Sequence, residues 1–222
     1  VVILIQKLRT VTLTNGNITD LAADCEQLNI RGFVTLHQEV SVKKISTHGH
    51  SSFHSRVEAQ IFNSSGSCTI KDFCEINEFK IAGSLNMRNG QVTKLKSSGK
   101  LTIEQNLEAE TVDAIGIVKA TEILAKLFHL KLSGESKIGE LIADEICIEK
   151  DKISVLPLLK KKLNCHCIKG KNVRLSYTNA EIVEGDVVIV GSNCRIKTLY
   201  YTDSYSISPN AKVQQVVRRE KE

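Results

Sequence analysis

Apolar residues along this chain come two apart, pause, and come two apart again, block after block. That spacing predicts β-strands, because successive side chains on a strand alternate between its two faces. A helix would bring them back every three or four residues. Glycines keep time with the pattern. Gly32, Gly49, Gly66, Gly83, Gly99, Gly116 and Gly134 lie 17, 17, 17, 16, 17 and 18 residues apart. Cut on that interval, the chain falls into blocks beginning at Leu28, Ile45, Phe62, Phe79, Leu95 and Val112, which form column one. Column seven reads Val34, Ser51, Cys68, Leu85, Leu101 and Val118. Column nine reads Leu36, Phe53, Ile70, Met87, Ile103 and Ala120. Column thirteen reads Val40, Val57, Cys74, Val92, Leu107 and Leu124.

About 17 residues suffice for three short strands and three corners, so one block predicts one coil of a β-solenoid. Each strand then pairs in parallel with its equivalent one coil away, about 4.8 Å distant. The glycine of column five marks a corner of unusual φ or close backbone approach. The fold expected is all-β: a three-sided parallel β-solenoid of roughly nine coils, a rod about 40–45 Å long. Residues 1–10 read as an apolar N-terminal tail or first strand, 11–217 as a single β-helix domain, and 218–222 as a charged tail. Residues 150–171 hold Pro157, a lysine triplet and no glycine in phase. They read as a basic interruption of the rod.

Composition narrows the class. With 41% hydrophobic and 25% charged residues, the chain belongs with folded proteins rather than disordered ones. Val1–Ile5 is too short an apolar run for a membrane span or a signal-peptide core. Seven cysteines, an odd number, argue against a disulfide framework and for a reducing cytoplasm. The net charge of +5 is concentrated between Ile146 and Lys171, where seven lysines meet two acids. That is one basic segment, not a nucleic-acid surface, and no nucleic-acid partner is expected.

Catalytic patterns are absent. No GxxxxGK[ST], HExxH or GxSxG occurs, so neither nucleotide, cofactor nor enzymatic activity is expected. Cys165-His166-Cys167 offers soft ligands, but neighbours on a strand point to opposite faces, so a reduced, partly packed strand is expected there. His37 and His54 both fall at column ten and should stack one coil apart. Protonated together, they would loosen the rod below about pH 6. Cys68 and Cys74 stand in inward columns and read as packing.

Short coils with one glycine each, a basic interruption, and a closing stretch NAEIVEGDVVIVGSNCRIKTLYY…AKVQQV together resemble the bactofilins, polymer-forming cytoskeletal proteins. The likeness is to their larger, Bacillus-like variety and spans roughly residues 11–217. The resemblance implies a right-handed, three-sided parallel β-helix and nucleotide-independent filaments built by end-to-end coil stacking. It implies a cytoplasmic scaffold, at the inner face of the membrane in many members, that supports cell shape, envelope or motility machinery. The polar residues Thr47, Ser64 and Ser97 at column three and the 150–171 interruption depart from the compact members. The expected partner is a second copy or a paralogous bactofilin.

An open solenoid exposes two sheet edges ready to pair with another chain. Assembly residues are therefore expected in the terminal coils: Val11, Leu13 and Leu21 at one end, Leu199, Tyr200, Val213 and Val216 at the other. Leu158, Leu159, Lys160, Lys161 and Lys162 mix apolar and basic character and are candidates for contact with an anionic membrane surface. The rival readings are a hexapeptide-repeat acyltransferase, whose period is six and not 17, and a β-helical adhesin or fibre.

Overall fold

The computed structural model describes residues 9–22, 24–151 and 160–220. Every regular element among them is a strand. They are β1 (Thr10–Ile18), β2 (Gln27–Leu36), β3 (Val40–Phe53), β4 (Val57–Leu132), β5 (Glu135–Lys150), β6 (Lys162–Leu175), β7 (Thr178–Val190), β8 (Arg195–Ile207) and β9 (Lys212–Arg218). All nine join one parallel sheet in sequence order. Strand β4 alone runs through several coils, so the elements are stretches of winding rather than single sides.

The register gives the coil. Val11 lies against Leu28, Leu28 against Ile45, and Ile45 against Phe62. Followed to the other end, this column passes Phe128, Ile146, Val173 and Val188 to Tyr205. There are about 12 turns of about 17 residues, more than the nine expected. At about 4.8 Å per turn the rod is roughly 50–55 Å long. Three inward pairs per coil make the three sides. In one coil they are Ile45 with Thr47, Ser51 with Phe53, and Val57 with Ala59, all buried.

The interior is a stack of like on like. The Phe62 and Phe79 rings lie 4.7 Å apart, and Phe53 meets Phe62 edge-on at 5.5 Å. Two of the polar intruders of column three are paired, the Thr47 hydroxyl donating to Ser64 Oγ at 2.9 Å inside the rod, whereas the buried Ser97 hydroxyl has no partner among the described residues. A hydroxyl buried without such a partner would be destabilising.

The glycine corner is real, with shifted limits. Seven glycines have positive φ: Gly16, Gly32, Gly49, Gly66, Gly83, Gly99 and Gly116. Gly16 stands outside the corner column, opposite Val34, and Gly134 does not share the positive φ of the series. The Ser133 amide donates to Gly116 O at 3.1 Å, which puts Leu132 at the next corner. A Cβ on Gly49 (φ +109°) would stand 2.6 Å from Gly32 O, and those on the next four glycines closer still to the carbonyl one coil below. From Gly49 to Gly116 each glycine thus fits closely over the backbone carbonyl of the glycine one coil below.

Column thirteen also needs correction at two places. Gly90 lies against Cys74, so Val92 falls two positions further along, although it too is buried. In the sixth block Ile123 is fully buried and Leu124 is not, because one residue is missing from the preceding corner. Small deletions at corners leave the strands in register but shift the count.

The basic interruption is narrower than the sequence suggests. Strand β6 resumes the rod at Lys162, opposite Glu135, and keeps pairing to Leu175 opposite Ile148. The chain leaves at Asp151, whose amide donates to Leu132 O at 3.0 Å, and returns at Lys162, whose amide donates to Gly134 O at 3.3 Å. Departure and return therefore occupy one corner. Beyond it, column sixteen alternates sign: Glu110, Lys126, Asp144, Lys171 and Asp186. Lys126 meets Glu110 at 2.7 Å and Lys171 meets Asp144 at 2.8 Å. A shift by one coil would set like charges opposite, so the alternation favours this register.

Gly49→Ala should lower unfolding stability by about 1–3 kcal/mol, from positive φ and the Gly32 carbonyl together. Gly134→Ala should cost less than about 1 kcal/mol, because its nearest neighbour is the movable Ile117 Cδ1 at 2.8 Å. Urea midpoints of the two variants test the difference; equal losses would remove Gly49 from the corner series.

Candidate functional site: the ends of the rod

Strand β1 begins the sheet and β9 ends it, and among the described residues neither outer edge has a strand partner. At the N-terminal end Val11 and Leu13 point inward from β1 but remain half-buried, since β2 covers them on one side only. Leu21, in the turn after β1, is also half-buried. Arg9 pairs with Asp24 and its amide donates to Glu26 Oε2 at 3.1 Å, which ties the first coil to the second. Residues 1–8, including Val1–Ile5, lie outside the described residues.

The C-terminal end is stepped. Strand β9 covers Arg195 to Tyr201 of β8, while Ser204 to Ile207 pair with β7 alone. Val213 is half-buried and Val216 is 37% exposed. Leu199, expected at the tip, is instead fully buried beneath Val216, its partner in register. Of the four residues expected at this end, Val213 and Val216 lie on β9 itself, whereas Leu199 and Tyr200 lie one coil further in, on β8. Tyr200 faces sideways, under the Arg219 guanidinium at 4.0 Å from the ring centre, and Arg219 also meets Glu184 at 2.8 Å. Residue 219, assigned to a frayed tail, therefore clamps the last coils together. Tyr205, 46% exposed and 4.6 Å from the Tyr201 ring, stands on the uncovered step with Ile207. Sequence reasoning missed both, although the clustering of all four tyrosines in this stretch pointed there.

The basic segment divides. Leu158 and Leu159 lie outside the described residues. Lys160 is exposed, Lys161 donates to Asp151 O at 2.9 Å, and Lys162 opens β6. Cys165 and His166 point to opposite faces: the thiol is buried, and the imidazole meets Glu181 at 3.2 Å outside. Among the described residues no group of three His, Cys, Asp or Glu side chains could hold a metal ion. No helix among them is long and apolar enough to cross a membrane.

His37 and His54 do meet, ring centres 4.5 Å apart and edge-on. Partial burial, then Lys71 and His37, hold the His54 imidazolium below the usual histidine range. The folded rod thus prefers a neutral ring. That preference supports the fold above pH 6.5 and is lost as pH falls, when the unfolded chain takes up the proton.

The interior thiols behave oppositely. Burial pushes Cys68, Cys74 and Cys165 up to about 12, against an ordinary value of 9.0. Such thiols are packing groups and poor nucleophiles.

Among curated proteins the chain is similar to the uncharacterized protein YhbE of Bacillus subtilis (strain 168), 29% identical over 102 residues. The likeness covers 45% of this chain and 41% of that protein, so the chain spans about two fifths of the relative it matches. No protein-family model matches the chain, and no solved structure matches it.

Because the folded state keeps its thiols neutral while an unfolded chain ionises them near 9.0, their contribution to stability should be constant up to that pH and fall between 9 and about 12. Urea midpoints measured across that interval test this. The Cys68→Ala/Cys74→Ala double variant should show a shallower fall. An equal slope would mean that these thiols titrate freely.

Proposed function

We propose that the chain is a non-enzymatic scaffold that assembles end to end, without nucleotide, as the polymer-forming bactofilins it resembles do. The observation that carries this reading is the pair of parallel edges at β1 and β9 that have no strand partner among the described residues. Each presents backbone donors and acceptors in the geometry of the next coil, and an exposed edge of this kind recruits another chain. Half-buried Val11, Leu13, Val213 and the more exposed Val216 would complete their burial under an added coil. Burying a side chain of this size fully contributes about 1.5–3 kcal/mol.

The partner is a second copy or a related solenoid with the same coil pitch. A foreign fold would not match three strands at once, whereas another coil does. The seven free thiols fit a cytoplasmic setting, where disulfides do not form. The process served is that of a scaffold for cell shape, envelope or motility machinery.

Purified protein, examined by negative-stain microscopy without nucleotide, should form filaments. Leu13→Arg and Val216→Arg, one at each end, should each raise the concentration needed for assembly at least about tenfold, since a charge would be trapped in the junction. Circular dichroism should show the β fold intact. Filaments of normal length from both variants would exclude these contacts. Discrete trimers that bind an acyl donor would favour the transferase reading instead.

A further inference from the structure

The rod's sides treat charge differently. On the third side, column sixteen alternates sign from Glu110 to Asp186, so each lysine there lies between two acids. On the second side, column eight lies between the inward residues of columns seven and nine, and from Thr35 to Lys212 it holds no acid. Its C-terminal six members are Lys119, Lys137, Asn164, Asn179, Arg195 and Lys212. Lys119 stands directly opposite Lys137, and Arg195 directly opposite Lys212. All four cations are exposed, and none forms an ion pair among the described residues.

The acids nearby are already engaged. Glu135 accepts from Asn164 Nδ2 at 2.9 Å, and Glu181 meets His166 at 3.2 Å. Lys197, in the next outward column, is exposed and adds to the same side, and the chain returns from its excursion through Lys160 and Lys162 at the adjoining corner. Like charges opposite one another in a sheet are destabilising. The chain avoids that arrangement one side away, where every neighbour in column sixteen changes sign. An anionic surface laid against column eight would relieve the repulsion and gain attraction from every cation at once.

We infer that the second side of the C-terminal half is a docking surface for an anionic lipid membrane, on which the rod lies lengthwise. Three features favour a bilayer. The patch is flat sheet: the main surface grooves, which would cradle a strand or a peptide, lie on the first and third sides. Column eight spans five coil spacings here, roughly 24 Å, and with the flanking columns the patch is about 13 Å wide, a plane rather than a line. Its column-eight residues are cations and amides, and the flanking acids Glu135 and Glu181 are outnumbered by the cations, so the attachment is electrostatic and needs no insertion. The inference holds for a single rod and does not depend on end-to-end assembly.

Co-sedimentation of the full chain with phosphatidylcholine vesicles, with and without phosphatidylglycerol, tests it. Binding should require the anionic lipid and fall at least about tenfold between about 0.1 M and about 0.5 M salt. Lys119→Glu/Lys137→Glu/Arg195→Glu should lose at least about tenfold in affinity. Arg31→Glu/Lys94→Glu/Lys96→Glu, with the same net charge on the first side, should keep most of it. If the first triple does not fold by circular dichroism, Lys119→Gln/Lys137→Gln/Arg195→Gln replaces it and should also bind more weakly than the parent. Equal losses in the two triples, undiminished binding by the glutamine triple, binding to neutral vesicles, or tighter binding to duplex DNA than to vesicles would each overturn the inference.

Discussion

In-register parallel stacking governs everything in this molecule. Every residue of one coil sits above its equivalent in the coil below, at the spacing of hydrogen-bonded strands. A side chain must therefore suit its own position and also its copies. Phenylalanine stacks on phenylalanine, hydroxyl meets hydroxyl at Thr47 and Ser64, and lysine alternates with acid along column sixteen. The corner glycines carry the constraint furthest, since a methyl group on one would strike the carbonyl of the glycine beneath. Stability is then a sum over neighbouring coils, with no central core from which it radiates.

This is also why so much of the fold could be read in the chain. Repetition prints the same requirement again and again, so Leu28, Ile45 and Phe62 announce one column without any three-dimensional information. What repetition cannot print is where it falters. The missing residue before Ile123 and the displacement at Gly90 fall in corners, where spacing is loose and side chains of many kinds are tolerated. Gly134 kept the interval by coincidence, while Leu132 took the corner itself. The Cys165 strand looked irregular because it follows the excursion, yet its alternation of buried and exposed positions is that of every other strand. The ends were read least well, since a terminal coil has a neighbour on one side only. Leu199 was grouped with Val213 and Val216 at the tip, although Val216 lies over it one coil further on.

Ends and sides obey different physics. The ends offer backbone groups and partly covered apolar side chains, which only another coil of equal pitch can satisfy. The sides have their backbone groups satisfied and differ in side chains alone. A rod of this type can therefore separate self-recognition from recognition of its surroundings. The alternating signs of column sixteen and the uniform sign of the charges in column eight, within one continuous sheet, show how little sequence such a separation requires.

The excursion corner has a further consequence. Asp151 and Lys162 hydrogen-bond to Leu132 and Gly134, so the intervening segment departs and returns at almost one point. The coils above and below are joined as if it were not there. Closing a longer insert at such a point would cost only about 0.6 kcal/mol more for each doubling of its length. The rod thus possesses a natural graft site, a lateral port where whole modules can be carried along the shaft without altering its pitch.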